Sequence, residues 1–254
     1  DQTLPRRRAI ALRQPIFLTS FAFGILAFLL PIYTRRLGAS ALTIGGLFSI
    51  FSIMRVLLRP LVGRALDRYG RRPFFVAGLA CYTAAMLLFF AAEQVTTLYL
   101  ARLVQGIGSA LVWIAAYTIA TDLAPAEARG RAVGRIDEAS ARGALYGALI
   151  GFALLAWLPL RSGWKVLFAG YALLAAWGTW QAWRGVPETR PAPGQSKVQG
   201  PQPFPLASLF AIRHSPFARL MLIVFITGAA NALISPLLII FLQDKFSTLS
   251  LIHI

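Results

Sequence analysis

The sequence predicts an all-α integral membrane protein, and three observations carry that expectation. The 254-residue chain is 57% hydrophobic and only 13% charged, where a soluble domain carries about 25% charged residues. Its apolar residues fall into continuous runs near the ~20 residues that cross a ~30 Å hydrocarbon layer. Its basic residues punctuate those runs, and 22 of the 25 are arginine. A β-barrel is excluded because its ~10-residue strands alternate apolar and polar side chains, and these runs do not.

Seven apolar segments follow one another, at 15–33, 42–66, 74–92, 97–120, 134–158, 164–184 and 216–242. The first is preceded by Arg6, Arg7 and Arg8, like the start of a signal peptide. Its length and the lack of a small-residue cleavage site after it mark it as a retained helix. The second contains Arg55 and Arg59, four residues apart and therefore on one helix face. By axial rise Arg59 lies ~12 Å and Arg55 ~18 Å from Asp67, so Arg59 reaches the cytoplasmic interface while Arg55 is a candidate to line a central cavity. The third carries Cys81, a small buried hydrophobe. The fourth carries Arg102, the fifth opens on Asp137 and Glu138, and the sixth closes before a Pro-rich stretch. Most connections are short, so successive helices are expected to be antiparallel neighbours.

Charge sets the orientation, since Lys and Arg are enriched in short cytoplasmic loops. With the N-terminus inside, 17 basic residues fall on inner segments and 5 on outer ones, leaving Arg55, Arg59 and Arg102 within helices. The net charge of +16 is thereby explained by topology. It calls for no nucleic-acid partner, which would need the charge gathered on one solvated face. Residues 185–205 hold six of the 15 prolines and read as a stiff, extended linker. The chain is expected to divide into a six-helix bundle over 1–184, a linker over 185–215, and a seventh helix within 216–254.

The loop after the second segment reads GRALDRYGRRP, from Gly63 to Pro73. Gly63 permits close helix approach, and Gly70 permits a turn with positive φ. Asp67 is the one carboxylate beside Arg64, Arg68, Arg71 and Arg72 and is expected to pair locally. The spacing G-x-x-x-D-R-x-G-R-R resembles the cytoplasmic loop motif of the major facilitator superfamily, between its second and third helices. The resemblance implies a conformational switch, in which Asp67 caps a helix of the C-terminal half and Arg71 engages nearby acids, holding the outward-open state.

Further segments resemble the same family. In LYLARLVQGIGSA the positions Arg102, Gln105, Gly106 and Gly108 match the family's Arg-x-x-Gln-Gly-x-Gly pattern, whose arginine is implicated in proton coupling. An Arg within a span costs at least ~2.5 kcal/mol and should face a cavity or a partner. Snorkelling to the outer interface, about one turn away, is the alternative. Asp122, at the inner end of that helix, is the candidate acid for Arg68, Arg71 or Arg72. In the fifth segment Gly134 is followed by Gly143, Gly147 and Gly151, the last three on one face that admits another backbone. Their spacing resembles the glycine frame of drug–proton antiporters, although Ala148 and Phe152 replace that motif's Pro and second Gly. Glu138 and Arg142 form an i,i+4 pair, and Glu138 is also a candidate proton carrier at the cavity. Asn231 in the seventh segment is a candidate polar contact. The sixth segment ends in Pro-Glu-Thr, as family members often do.

The resemblance implies a major facilitator-type N-terminal six-helix bundle plus a seventh transmembrane helix, with the C-terminal half missing. It implies secondary transport of a small-molecule substrate, with protons as the coupling ion, in the bacterial inner membrane. Efflux resembling that of drug–proton antiporters or sugar exporters is the preferred version. The other expectation is a transport-inactive half that associates with a missing C-terminal half or with another copy. His214 and His253 have no second ligand nearby, and no metal site, cofactor motif or catalytic constellation is present, so no enzyme chemistry is expected.

Overall fold

The computed structural model describes residues 3–190 together with Ile223 and Ile226, both helical. The chain divides into two compact units, Asp1–Arg190 and Pro191–His253. Apart from those two isoleucines, the seventh segment with Asn231 lies outside the described residues, as do most of the Pro-rich stretch, His214 and His253.

The first unit is built from α1 (Thr3–Thr19), α2 (Phe21–Arg36), α3 (Ala41–Tyr69), α4 (Arg72–Phe90), α5 (Val95–Asp122), α6 (Arg129–Leu155) and α7 (Leu160–Gly185). Among the described residues there is no strand. Four stretches are long and apolar enough to cross a membrane, the first being the combined α1–α2 stretch Ile10–Arg36. Helices α6 and α7 match them in length, at 27 and 26 residues. The helices overrun the apolar runs, because hydropathy marks where lipid begins and not where helical hydrogen bonding ends. Thus α6 begins at Arg129, in its charged turn.

The first predicted helix is two pieces. Pro15 lacks an N–H, Thr19 turns its hydroxyl back onto the Pro15 carbonyl at 2.8 Å, and the chain changes course at Ser20. The shorter Phe23 N to Ser20 O bond, at 3.0 Å, closes the break. Ser20 Oγ there meets Ser140 Oγ of α6 at 3.0 Å.

Two ends of the bundle are defined by hydrogen bonds. At one end, the starts of α3 and α5 meet through the Tyr99 hydroxyl, which donates to the Thr43 carbonyl at 2.9 Å. The close of α2 reaches α4 there through Tyr33, whose hydroxyl donates to the Ala92 carbonyl at 2.7 Å. Trp164 Nε1, near the start of α7, donates to the Phe89 carbonyl at 2.6 Å. Its ring stacks on Tyr33 with centroids 3.9 Å apart. Glu93 sits on the rim of this end, where Lys165 and then Arg161 hold its carboxyl below the ordinary range. The opposite end holds the α3–α4 turn and is called the motif end below.

From α2 onward successive helices run in opposite directions, but mostly they are not the principal neighbours, contrary to the sequence expectation. α4 packs chiefly on α5 and α7, α3 on α5, and the α1–α2 pair on α6 and α7. A short loop fixes only where two helix ends lie. The choice of neighbour along the whole length falls to faces of small residues. On α5, a Cβ at Gly106 would sit 2.8 Å from the Phe51 carbonyl oxygen of α3, and one at Gly108 would sit 2.9 Å from the Gly78 carbonyl oxygen of α4. Cys81 beside it is half-buried, not fully enclosed. On α6, Cβ atoms at Gly143 and Gly147 would run into the carbonyls of Phe17 and Phe21, and one at Gly151 into Ile25. The backbone that this glycine face admits is therefore that of the broken first helix. Tyr171 of α7 completes the joint by donating to the Gly147 carbonyl at 2.7 Å. Gly63, expected to allow close helix approach, has no described atom within 4 Å of its Cβ position.

These contacts make a direct test possible. Gly147→Leu should lower the thermal unfolding temperature of the purified protein, at an overpacking cost of about 1–3 kcal/mol. Gly134→Ala, at a position where a Cβ meets nothing within 4 Å, should leave it unchanged or raise it slightly. Circular-dichroism melts of the two variants in detergent measure the difference.

Candidate functional site

Two groups of residues stand out, a polar cluster at the motif end and a cavity in the middle of the bundle.

The cluster is organised by how α4 begins. α3 closes at Gly70, whose φ of 99° lies in the left-handed region that glycine tolerates. Arg71 then takes the N-cap position of α4 in a helical conformation and offers no side-chain cap. The first N–H groups of a helix have no partner within it. Here Glu188, 117 residues away, supplies one: its carboxylate accepts from Arg71 N at 2.8 Å and from Arg72 N at 3.1 Å. The same carboxylate accepts from Thr189 N and Arg190 N, each at 3.0 Å. Partial burial raises the Glu188 pKa, but the four backbone N–H groups outweigh it and hold the carboxyl below the ordinary value. The positive end of the α4 dipole acts in the same sense.

The Arg71 side chain is buried, at 7% exposure, and lies between two acids. Its Nε is 3.4 Å from Asp122 Oδ2, and its Nη2 is 3.6 Å from Asp67 Oδ1. Of the three arginines offered to Asp122 by the sequence, Arg71 is the one it contacts. Asp122 also accepts from the Thr189 hydroxyl at 2.8 Å. Arg72 donates to the Trp183 carbonyl near the end of α7, and Arg68 lies over the Tyr69 ring. Asp67 touches only the edge of the cluster, and its side chain is 72% exposed.

Glu188 and Thr189 are the residues that sequence pattern did not mark here. Pro-Glu-Thr was legible as a terminal signature, but residues 185–205 read as a stiff, extended linker. Its opening is docked: Val186 is 2% exposed and Glu188 is fixed by four N–H groups. A signal did exist. A helix that starts GRRP has no Ser, Thr, Asp or Asn at its N-cap, so it needs an acceptor from elsewhere.

The cavity, of about 300 Å³, is lined by residues of α2, α3, α4 and α5, including Arg55, Arg102, Gln105 and Trp113. These α5 positions lie around the middle of a 28-residue helix. Arg102 does not snorkel outward: it is 6% exposed. Its Nε donates to the Leu47 carbonyl at 3.1 Å and its Nη1 to Gln105 Oε1 at 2.8 Å. The guanidinium carbon lies 4.9 Å and 4.6 Å from the ring centroids of Phe48 and Phe51. Arg55 lies 5.6 Å from the Phe51 centroid. The aromatic lining, with Phe23, Tyr82 and Trp113, escaped sequence reasoning because aromatic residues in a span pattern like core.

Glu138 lies outside this cavity. It pairs with Arg142 at 2.6 Å and Arg13 at 3.8 Å, and Asp137 beside it accepts from the Tyr117 hydroxyl at 2.6 Å. Among the described residues no group of three or more His, Cys, Asp or Glu side chains forms a metal cage.

Fold and hydropathy together define a helical integral membrane protein with a cavity among its helices. A family model described as Major Facilitator Superfamily matches residues 16–251, and the chain belongs to that superfamily of transporters. The class E tetracycline resistance protein of Escherichia coli is 36% identical over 139 residues, covering 54% of this chain and 34% of that protein. Multidrug resistance protein 2 of Bacillus subtilis is 26% identical over 138 residues, again 54% of this chain and 34% of the relative. The alignments thus span about a third of each of these relatives' own length. The human organic anion transporter MFSD10 (TETRAN) superposes with a TM-score of 0.61 at 22% identity, covering 74% of this chain and 49% of that one, which shows a common fold.

The α4 cap has a pH signature. A carboxyl whose folded pKa is depressed stabilises the fold above its unfolded pKa, and the contribution disappears as pH falls through the folded value. Glu188→Gln should therefore melt several degrees lower than the parent at pH 7. The gap should close well below pH 4.5, the carboxyl's ordinary value. Paired thermal melts at the two pH values read both limbs.

Proposed function

We propose that this chain carries out the N-terminal share of proton-coupled efflux of a small molecule by alternating access. The bilayer is the bacterial inner membrane, with the motif end and the N-terminus in the cytoplasm. The observation that carries the reading is the Arg71 cluster. It ties the α3–α4 turn, the end of α5 and the segment after α7 together through Asp67, Asp122 and Glu188. A bundle tied this way moves as one body, as rocking around a central site requires. Asp67 is the exposed member of the cluster and is free to cap a helix of an opposing bundle. That is the switch contact, made when the inner side is closed.

Efflux is favoured over uptake by the names of the relatives, a tetracycline resistance protein and a multidrug resistance protein. Proton coupling rests on Arg102, a buried cation within α5 that makes no ion pair among the described residues. The inward orientation rests on the arginine excess at the motif end. A second reading, a bundle that is inert until a complementary one joins it, is favoured by alignments that span only a third of the relatives.

Flux measurements in vesicles containing this chain separate these readings. A cationic dye and several sugars would be followed with and without an imposed pH gradient. Gradient-driven movement supports the coupled transporter. No movement by well-folded protein supports the inert bundle. Where flux is present, Asp67→Asn should lower it about fivefold or more with little change in expression, and parental flux in that variant removes the switch contact. Arg102→Ala should abolish the gradient dependence, and an unaltered response to pH would take Arg102 out of the coupling scheme.

A further inference from the structure

We infer that the central cavity is an organic-anion site, in which Arg55 and Arg102 receive a carboxylate or a similar anionic group and the surrounding rings receive an aromatic body. The inference deepens the transporter reading above by naming its substrate class, and it rests on that reading for its purpose but not for its chemistry.

The argument begins with charge. Two guanidinium groups line a cavity of about 300 Å³, and among the described residues no carboxylate lines it with them. The buried Arg71 has Asp67 and Asp122, and the half-buried Arg13 has Glu138. Arg55 and Arg102 make no ion pair among the described residues. A cation taken out of water without an anion is costly, and intramembrane arginines accordingly pair or face a functional cavity.

The donors are also left open. Arg102 spends Nε on the Leu47 carbonyl and Nη1 on Gln105, and its Nη2 makes no hydrogen bond among the described residues. Arg55 Nε is buried without a hydrogen-bond partner among the described residues. A donor held from water without an acceptor is costly, so a ligand group that accepts from Arg55 and Arg102 supplies what the described residues do not. A guanidinium offers its N–H groups in a planar fork that fits a carboxylate. Gln105 is not a competitor, because its Oε1 already faces Arg102 and holds that side chain in place.

The remaining lining sets the rest of the ligand. Phe23, Phe48, Phe51, Tyr82 and Trp113 present ring surface on several sides. Phe48 and Phe51 already lie against the Arg102 guanidinium, so their outer surfaces meet a flat, apolar body beside the charge. An inorganic anion fills the charge requirement and leaves the rings bare. A cation meets two like charges. An aromatic carboxylate satisfies both features together.

The test uses this chain in lipid nanodiscs at pH 7, where a carboxylate is ionised. Equilibrium binding of radiolabelled 2-naphthoate would be compared with competition by 2-naphthamide, its neutral counterpart, and by 2-naphthylmethylammonium. Naphthoate should bind at least about tenfold more tightly than the amide, and the cation should not compete. Arg55→Gln should weaken naphthoate about tenfold while leaving the amide unchanged, the amide serving as the check on folding. Arg55→Lys should recover part of the loss. Equal affinity for acid and amide, a preference that survives Arg55→Gln, or no saturable naphthoate binding would each overturn the assignment. The transporter reading is judged separately by vesicle flux. Naphthoate binding without flux leaves the anion site standing alone, and gradient-driven flux of a cationic dye with no naphthoate binding removes the anion site and keeps the transporter.

Discussion

The motif end of this bundle depends on one unmet requirement, the uncapped N-terminus of α4. Gly70 turns the chain so sharply that α4 starts without a local acceptor, and Arg71 and Arg72 present free backbone N–H groups. Glu188 meets them from the far side of the sequence. Once it is there, Thr189 is placed to reach Asp122, and Asp122 is placed to face Arg71. The side-chain ion pairs are thus secondary to a backbone need. That ordering explains why a short Pro-Glu-Thr stretch, weak as a pattern, is held so firmly.

The middle of the bundle is governed by a different constraint. Without water to drive apolar surfaces together, helices in lipid associate where their backbones can come close. Glycines on α5 and α6 provide those places and bring α5 against both α3 and α4, and α6 against the break at Ser20. Close approach in these seams leaves room elsewhere. The cavity forms where α5 turns its polar positions, Arg102, Gln105 and Ser109, toward α3 and α4 in place of a small-residue face. Packing and cavity are two results of one distribution of side-chain volume.

Much of this was legible in the sequence. The four stretches long and apolar enough to cross a membrane follow from the apolar runs, and the loop from Gly63 to Pro73 named its family through spacing alone. Arg102 and Gln105 could be picked out because an arginine inside a span demands a reason. What was not legible was anything that depends on which helix faces which. The runs are apolar nearly all round, so periodicity gives little direction, and short loops wrongly suggested that sequential helices pack along their lengths. Glu188 was hidden by its Pro-rich surroundings, and the ring lining of the cavity by its likeness to core. The break at Ser20 follows Pro15 in the sequence, but a proline in a membrane helix does not by itself say whether the chain bends or runs on.

The two ends of the bundle are held by forces of different range. The end around Trp164 is closed by a buried stack with Tyr33 and by hydrogen bonds to backbone carbonyls. These contacts do not respond to dissolved salt. The motif end is closed by carboxylates and guanidiniums, several of them within reach of solvent. Ions screen charges separated by more than a Debye length, about 8 Å at physiological strength, and act on the exposed Asp67 more than on the buried Arg71. Both ends carry ion pairs, but at the Trp164 end those of Glu93 with Lys165 and Arg161 sit on the exposed rim outside the buried stack, whereas at the motif end the Arg71 pairs lie inside the joint itself and meet the solution through the exposed Asp67.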